Sequence, residues 1–359
     1  MTGTLDPSRV LDSVVVGAGQ AGLSASYHLQ RRGLDHVVLN ADEAPGGAWQ
    51  HRWDSLTVHD VHGVAALPGA PDPDLDPDER ANRAVPAYFA AYEREHGLPV
   101  VRPVRVDRVV EAGEDLLRVE AGRRSWTTRT LVNATGTWTQ PFVPHYPGIE
   151  TFAGPQWHTA DYPGAEAFRG LRTLVVGGGA SAVQLLGEVA LVTDTVWVTR
   201  RPPVWRSDDF TPEVGRAAVA LVEERVRRGL PPASVVSVTG LALRPQEQAA
   251  AALGAYTRRP VPARFGPHGV RWDDGTVERV DAVLWATGFR PAVGHLGPLH
   301  LRSPRGGITL DGTTAVADPR VQLVGYGPSA STIGANRAGR VAALGVAAWL
   351  DRTAERVTA

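Results

Sequence analysis

The chain has 359 residues, 43% hydrophobic and 21% charged, with a formal net charge of −1. That length suits two domains with ordinary cores, and the near-neutral charge argues against nucleic acid or another polyanion as partner. There is no cysteine, which excludes disulfides, thiolate nucleophiles, iron–sulfur clusters and redox dithiols, and no lysine, which excludes Schiff-base chemistry and a P-loop lysine.

No run approaches the length of a membrane span and the first residues are polar, so a soluble cytoplasmic protein is the expectation. Residues 12–17 read as a strand, Ala21–Arg32 as an amphipathic helix stopped by Gly33, and His36–Asn40 as the next strand. Leu67–Arg80 alternates proline with aspartate. Its Asp72, Asp74, Asp76 and Asp78 look like a calcium loop at first sight, but interleaved prolines and a missing central glycine read as a solvated acidic loop. Val85–His96 reads as a helix, Val100–Glu120 as strands of a small meander, and Leu131–Thr135 as an apolar strand running into Gly136. The proline-rich Gln140–Gly148 reads as a connector between domains. Leu171–Gly177 opens a second βαβ unit, with a helix over Ser181–Val189 and a strand over Thr195–Thr199. Pro212–Arg228 and Gln246–Arg258 look helical. Val280–Ala286 and Val321–Tyr326 read as buried strands, the last followed by a helix through about Leu350.

Two glycine-rich turns stand out against this background. Val14-Val15-Val16-Gly17-Ala18-Gly19-Gln20-Ala21-Gly22 fits G-x-G-x-x-G in full. Gly17 permits the tight turn, Gly19 lets backbone approach a pyrophosphate, and Gly22 lets helix and strand pack closely. Asn40 occupies the end of the second strand, where an acid normally binds a ribose. Its amide oxygen can accept a hydroxyl proton, and Asp42 or Glu43 could substitute. The second turn has Gly177 and Gly179, with Ala182 for the third glycine. Thr199-Arg200-Arg201 follows the next strand. Two guanidiniums where a carboxylate would otherwise sit favour NADPH over NADH. Two dinucleotides in one chain suggest electron traffic between a nicotinamide and a flavin, and so FAD together with NADPH.

Between the two turns, Phe152, Gly154, His158 and Tyr162 fit F-x-G-x-x-x-H-x-x-x-(Y/F). Gly46-Gly47-Ala48-Trp49, Ala134-Thr135-Gly136 and Ala286-Thr287-Gly288 accompany them. With these motifs in this order the chain resembles the flavin-containing monooxygenases, within the class B flavoprotein monooxygenases. The related Baeyer–Villiger enzymes carry Trp where this chain has Tyr162. The similarity runs from about Ser13 to Arg340.

The resemblance implies an α/β fold of two Rossmann-like dinucleotide-binding domains, the NADPH domain (146–290) inserted into an FAD domain made of 1–145 and 291–359. Gly17, Gly19 and Gly22 would hold FAD, with Gly46, Gly47 and Trp49 along the flavin. Gly177, Gly179, Ser181 and Arg200 would hold NADPH. Thr135-Gly136 and Thr287-Gly288 would be turns where the chain crosses between domains, and His158 would be structural or conformational. Gly325, Ser331 and Ile333, at a strand end and helix start, would face the flavin pyrimidine. His59, Asp60 and His62 lie where the family often places a side chain near the reacting flavin carbon; no third ligand makes them a metal site. Trp138 and Trp157 could line a substrate pocket.

The implied activity is transfer of one oxygen atom from O2, through a C4a-hydroperoxyflavin, to an amine nitrogen or sulfide sulfur of a small organic substrate. The alternatives are Baeyer–Villiger oxidation of a ketone and an NADPH-dependent reductase or oxidase that releases H2O2. A homo-oligomer is compatible with the sequence.

Overall fold

The computed structural model describes residues 9–61, 64–206, 212–233 and 240–358. The chain divides into two compact units. The described residues of Met1–Thr139, Ala217–Val235 and Pro291–Ala359 make the first, and those of Gln140–Arg216 and Val236–Arg290 make the second. No helix among the described residues is long and apolar enough to cross a membrane.

Strands are numbered in chain order. In the first unit β1 (Val10–Val16), β2 (His36–Leu39), β3 (Val100–Val101), β6 (Arg124–Asn133) and β17 (Val321–Leu323) form a parallel sheet in the order β3-β2-β1-β6-β17. The β3-β2-β1 half is the strand order of a mononucleotide-binding unit. Its β-branched strands read as continuous apolar runs because helices cover both faces of such a sheet. Alternate side chains divide between two cores. Val14, Val16 and Leu131 face one side, and Val15, Val38 and Val132 the other. Val15 and Val132 are fully covered, each contributing about 1.5–3 kcal/mol.

The long strand β6 serves two purposes. Its first half pairs antiparallel with β5 (Leu117–Ala121), itself paired with β4 (Arg108–Glu111), while its second half stays in the parallel sheet. The meander expected over Val100–Glu120 is therefore smaller. Val100 and Val101 instead extend the main sheet beside Val38 and Leu39, and Pro103, lacking an N–H, ends that ladder. Helix α1 (Gln20–Gln30) follows β1, and α2 (Ala81–Glu95) starts four residues before the expected Val85. On the far edge, β15 (Leu310–Asp311) and β16 (Thr314–Ala315) add antiparallel to β17.

In the second unit β7 (Gln156–His158), β8 (Thr173–Val176), β9 (Thr195–Val198), β10 (Arg258–Arg259) and β14 (Ala282–Trp285) form a parallel sheet in the order β10-β9-β8-β14-β7. A small antiparallel sheet, β11 (Arg264–Gly266), β12 (Gly269–Arg271) and β13 (Val277–Arg279), accompanies it. Helix α3 (Ala180–Val189) follows β8. Helix α4 (Pro212–Arg227) carries the chain into the Ala217–Val235 excursion of the first unit. The helix expected over Gln246–Arg258 is only α5 (Pro245–Ala252). Arg258 and Arg259 leave it to pair with Trp197 and Val198, because an open sheet edge offers them a ladder. The last helix, α6 (Thr332–Thr358), continues past the expected Leu350.

Candidate functional site

In the first unit the glycine turn sits at the carboxyl ends of β1 and β6, where open α/β sheets receive their ligands. The Gly17 N–H donates to the Leu39 carbonyl at 2.8 Å. A Cβ on Gly22 would lie 1.9 Å from the Gly17 carbonyl oxygen, so the turn and helix touch backbone to backbone. Gly47, with φ of +52°, abuts the same turn: its Cβ would lie 2.7 Å from Gly19 Cα. Helix α1 begins behind Gly19 with no side-chain cap and no acid in its first turn. Its leading N–H groups and positive dipole end therefore suit an anion.

A second helix start adjoins the first. The Gln20 amide donates from Nε2 to the Thr332 carbonyl at 2.9 Å and to Asn336 Oδ1 at 3.2 Å. The Ser24 hydroxyl donates to the Asn336 carbonyl at 2.9 Å. The first residues of α1 and α6 are thus tied together. Ser331 caps α6, its hydroxyl accepting the Gly334 N–H at 3.2 Å. Gly325 lies at the end of β17 against Gly136. Ile333 starts α6 beside Thr332.

Asn40 is buried, and its Oδ1 accepts the Ala18 N–H at 3.1 Å. Its amide oxygen holds the glycine turn. Glu43 is exposed beside it, and Asp42 takes His51 Nε2 at 3.0 Å. Trp49 is half-buried in the 3-10 turn Gly47–His51.

Two of the three residues suggested for the reacting carbon, His59 and Asp60, are described. Asp60 Oδ2 accepts from Thr57 N at 3.3 Å and from Thr57 Oγ1 at 3.0 Å, bracing the turn over residues 57–60. His59 is mostly exposed and stands 3.8 Å from the Asp60 carboxylate. His62 lies outside the described residues. No group of three metal-ligating side chains occurs among the described residues, so Asp72, Asp74, Asp76 and Asp78 form none.

The second unit repeats the turn. Gly177 N–H donates to the Val198 carbonyl at 3.0 Å, and the Trp197 indole donates to the Gly177 carbonyl at 2.8 Å. A Cβ on Gly177 would lie 2.1 Å from the Ala286 carbonyl oxygen, whereas a Cβ on Gly179 meets nothing within 4 Å. Helix α3 again starts with no side-chain cap and no acid in its first turn, and Ser181 is half-buried within that turn. Arg200 and Arg201 are exposed at the end of β9. Arg258 joins them. It donates from Nε to Thr199 Oγ1 and from its guanidinium to the Thr199 carbonyl, both at 2.9 Å. Sequence reasoning missed Arg258 because it placed that residue at a helix end.

The four residues of the central motif are built into the second unit. Phe152 is buried and edge-packed on Phe265, with centroids 6.0 Å apart. A Cβ on Gly154 would lie 2.1 Å from the Asp281 carbonyl oxygen. The buried Tyr162 hydroxyl donates to Glu188 of α3 at 3.2 Å, and burial raises its pKa. His158 Nε2 donates to the Gly288 carbonyl at 3.0 Å, and Nδ1 accepts the Ala160 N–H at 3.1 Å. That neutral tautomer agrees with a pKa lowered by burial.

The crossings are pinned. Within the first unit Thr135 Oγ1 donates to the Ala292 carbonyl at 2.7 Å, and the Gly136 carbonyl accepts the Ala292 N–H at 2.9 Å. Within the second, Thr287 Oγ1 donates to the Phe142 carbonyl and Phe142 N–H donates to the Gly288 carbonyl at 2.9 Å. Trp157 packs edge-on to Phe168 inside the second unit, while Trp138 lies in the first under the Arg52 guanidinium.

Residues 14–231 match the family model described as pyridine nucleotide-disulphide oxidoreductase. A flavin-containing monooxygenase from Stenotrophomonas maltophilia is 40% identical and superposes with a TM-score of 0.81, covering 95% of this chain and 99% of that one. The indole-3-pyruvate monooxygenase YUCCA1 of Oryza sativa subsp. japonica is 28% identical over 351 residues, 86% of this chain and 82% of that protein. A Baeyer-Villiger monooxygenase of Streptomyces coelicolor is 31% identical over 222 residues, 60% of this chain and 42% of that protein. Lacking cysteine, the chain has no dithiol for the disulphide chemistry in the first family's description. The chain belongs to the pyridine nucleotide-disulphide oxidoreductase family and, within it, to the flavin-containing monooxygenases.

Proposed function

We propose that the first unit binds FAD, the second binds NADPH, and the enzyme transfers one oxygen atom from O2 to an amine nitrogen or sulfide sulfur of a small organic substrate, the second atom leaving as water. The observation that carries this reading is a pair of uncapped helix starts, each behind a glycine turn, in one cysteine-free chain of this family. Bound FAD, reduced by hydride from NADPH, supplies the ring that activates dioxygen.

The residues fit both groups. Gly17, Gly19 and Gly22 would bring the N–H groups of α1 onto the FAD pyrophosphate, with Gly46, Gly47 and Trp49 beside it. Asp42 or Glu43 would take the ribose, since Asn40 already serves Ala18. Gly325, Ser331 and Ile333 would set the α6 dipole against the flavin pyrimidine. Gly177, Gly179 and Ser181 would hold the NADPH pyrophosphate. Arg200, Arg201 and Arg258 would meet its 2′-phosphate, as guanidiniums do bidentately. Thr135 and Thr287 would hold the crossings, and His158 would fix Gly288.

This scheme asks no side chain to act as general base. Asp60 holds its turn, and His59 contributes a polar wall. The protein's tasks are to bind, orient and exclude water. The Streptomyces relative makes ester formation from a ketone the second reading, and Tyr162 in place of Trp argues for heteroatom oxygenation. The test is to release and identify the flavin, then follow NADPH oxidation against amine, sulfide and ketone panels. FAD release with an N-oxide or sulfoxide product supports the proposal; ester products favour the second reading.

A further inference from the structure

Arg52 differs from two other enclosed arginines, which each face an acid: Arg102 meets Glu93 at 2.6 Å, and Arg320 meets Asp318 at 2.8 Å. Arg52 has no carboxylate among the described residues. Its Nε is buried with no acceptor, and two indoles lie near the guanidinium. The guanidinium carbon lies 4.4 Å from the Trp138 ring centre and 5.6 Å from that of Trp49. Burial pushes its pKa down to about 10, so the group keeps its proton at neutral pH. Aromatic faces compensate a cation only in part, and a buried charge without a counterion is costly.

The position of this charge within the first unit matters. Arg52 directly follows the Gly47–His51 turn that abuts Gly19, and Trp138 follows Gly136 at the carboxyl end of β6. The cation therefore belongs to the ligand edge of the parallel sheet. The α1 helix start already offers a pyrophosphate its own donors. Arg52 as a residue is half-buried.

We propose that Arg52 binds the carboxylate of the organic substrate, with the Trp49 and Trp138 indoles flanking the pair. The inference rests on the oxygenase reading and narrows its substrate class to organic acids. A guanidinium fork donates to both carboxylate oxygens at once, and the indoles suit a planar or apolar body next to the acid group. A phosphate of the cofactor is the rival source of negative charge, and the experiment separates the two.

Calorimetric titration of the oxidised, FAD-loaded protein without NADPH makes the outcome independent of oxygen transfer. The probes are phenylacetate and its neutral isostere phenylacetamide. Phenylacetate should bind at least about tenfold more tightly, the scale of one charge-assisted hydrogen bond. Arg52→Gln should abolish that preference while leaving phenylacetamide binding and FAD content unchanged, and Arg52→Lys should restore part of it. Phenylacetate binding no tighter than phenylacetamide, including no binding of either, overturns the proposal. So does an Arg52→Gln protein that keeps the preference, or one that loses FAD affinity instead, since the cofactor would then be the counterion. Should Arg52→Gln fail to fold, the wild-type comparison and the Arg52→Lys protein decide alone.

Discussion

The side-chain oxygen of Asn40 accepts the backbone N–H of Ala18 at 3.1 Å, so the end of β2 holds the glycine turn in place. A buried donor stripped of its acceptor costs about 1–3 kcal/mol. Asn40→Ala should lower unfolding free energy by about that much and weaken FAD binding in proportion. Asn40→Asp keeps an acceptor and should lose less. Denaturant titration with flavin fluorescence checks both. Equal losses for the two variants would dismiss the Ala18 contact.

Gly19 and Gly47 separate the protein's needs from the cofactor's. A Cβ on Gly19 has its nearest neighbour 4.0 Å away, whereas one on Gly47 would strike Gly19 Cα at 2.7 Å. Gly19→Ala should fold with unchanged stability and lose FAD affinity, about tenfold or more for each 1.4 kcal/mol of displaced pyrophosphate contact. Gly47→Ala should lose stability as well, because its φ of +52° also disfavours a side chain. Thermal melts of the flavin-free proteins distinguish them. A Gly19→Ala protein that holds FAD normally would remove the pyrophosphate from this turn.

In the proposed scheme Arg200 and Arg258 give the nicotinamide preference. Arg200→Ala should raise the apparent KM for NADPH roughly ten- to a hundredfold and leave NADH nearly unchanged, as expected for a charge-assisted phosphate contact. Arg258→Ala removes both bonds to Thr199 and should act in the same direction. Steady-state kinetics with both nucleotides decides. Equal loss for NADPH and NADH would place the 2′-phosphate elsewhere.

Histidine sets a pH limit on stability. Burial lowers the pKa of His295 from its ordinary 6.5 to about 4, and its Nε2 donates to Asn133 Oδ1 at 2.7 Å. The unfolded chain therefore binds a proton that the folded chain refuses. The stabilisation is complete above about 6.5, is lost as pH falls from there towards about 4, and then levels off. The whole effect is at most about 3 kcal/mol. His28, lowered to about 4, and His158 act in the same direction. Urea titrations at stepped pH should show this fall, and His295→Asn should make it shallower. An unaltered slope in that variant would assign the pH dependence elsewhere.

Much of this architecture is legible in the chain itself. The runs Val14–Val16 and Leu174–Val176 announce parallel strands because they are apolar without alternation, and each is followed by glycine. The central motif is legible for a different reason. Phe152, Gly154 and Tyr162 are fixed by packing against Phe265, Asp281 and Glu188, so the pattern records a fold requirement. The Asn40–Ala18 contact was not legible, because an amide that binds backbone looks the same in sequence as one that binds a sugar. Arg258 was hidden by an alanine-rich helix that stops sooner than its propensity suggests. Arg52 was invisible too, since only the fold shows that an arginine lacks an acid.

In the proposed reaction dioxygen is split between product and water. The most direct measurement supplies labelled O2 to the enzyme with NADPH and a productive amine or sulfide, and weighs the product while H2O2 is assayed separately. One labelled oxygen atom is expected in each product molecule, with NADPH consumed in equal amount and little peroxide. NADPH consumption matched by H2O2, with no labelled product across a broad panel, would contradict it and make the protein an oxidase.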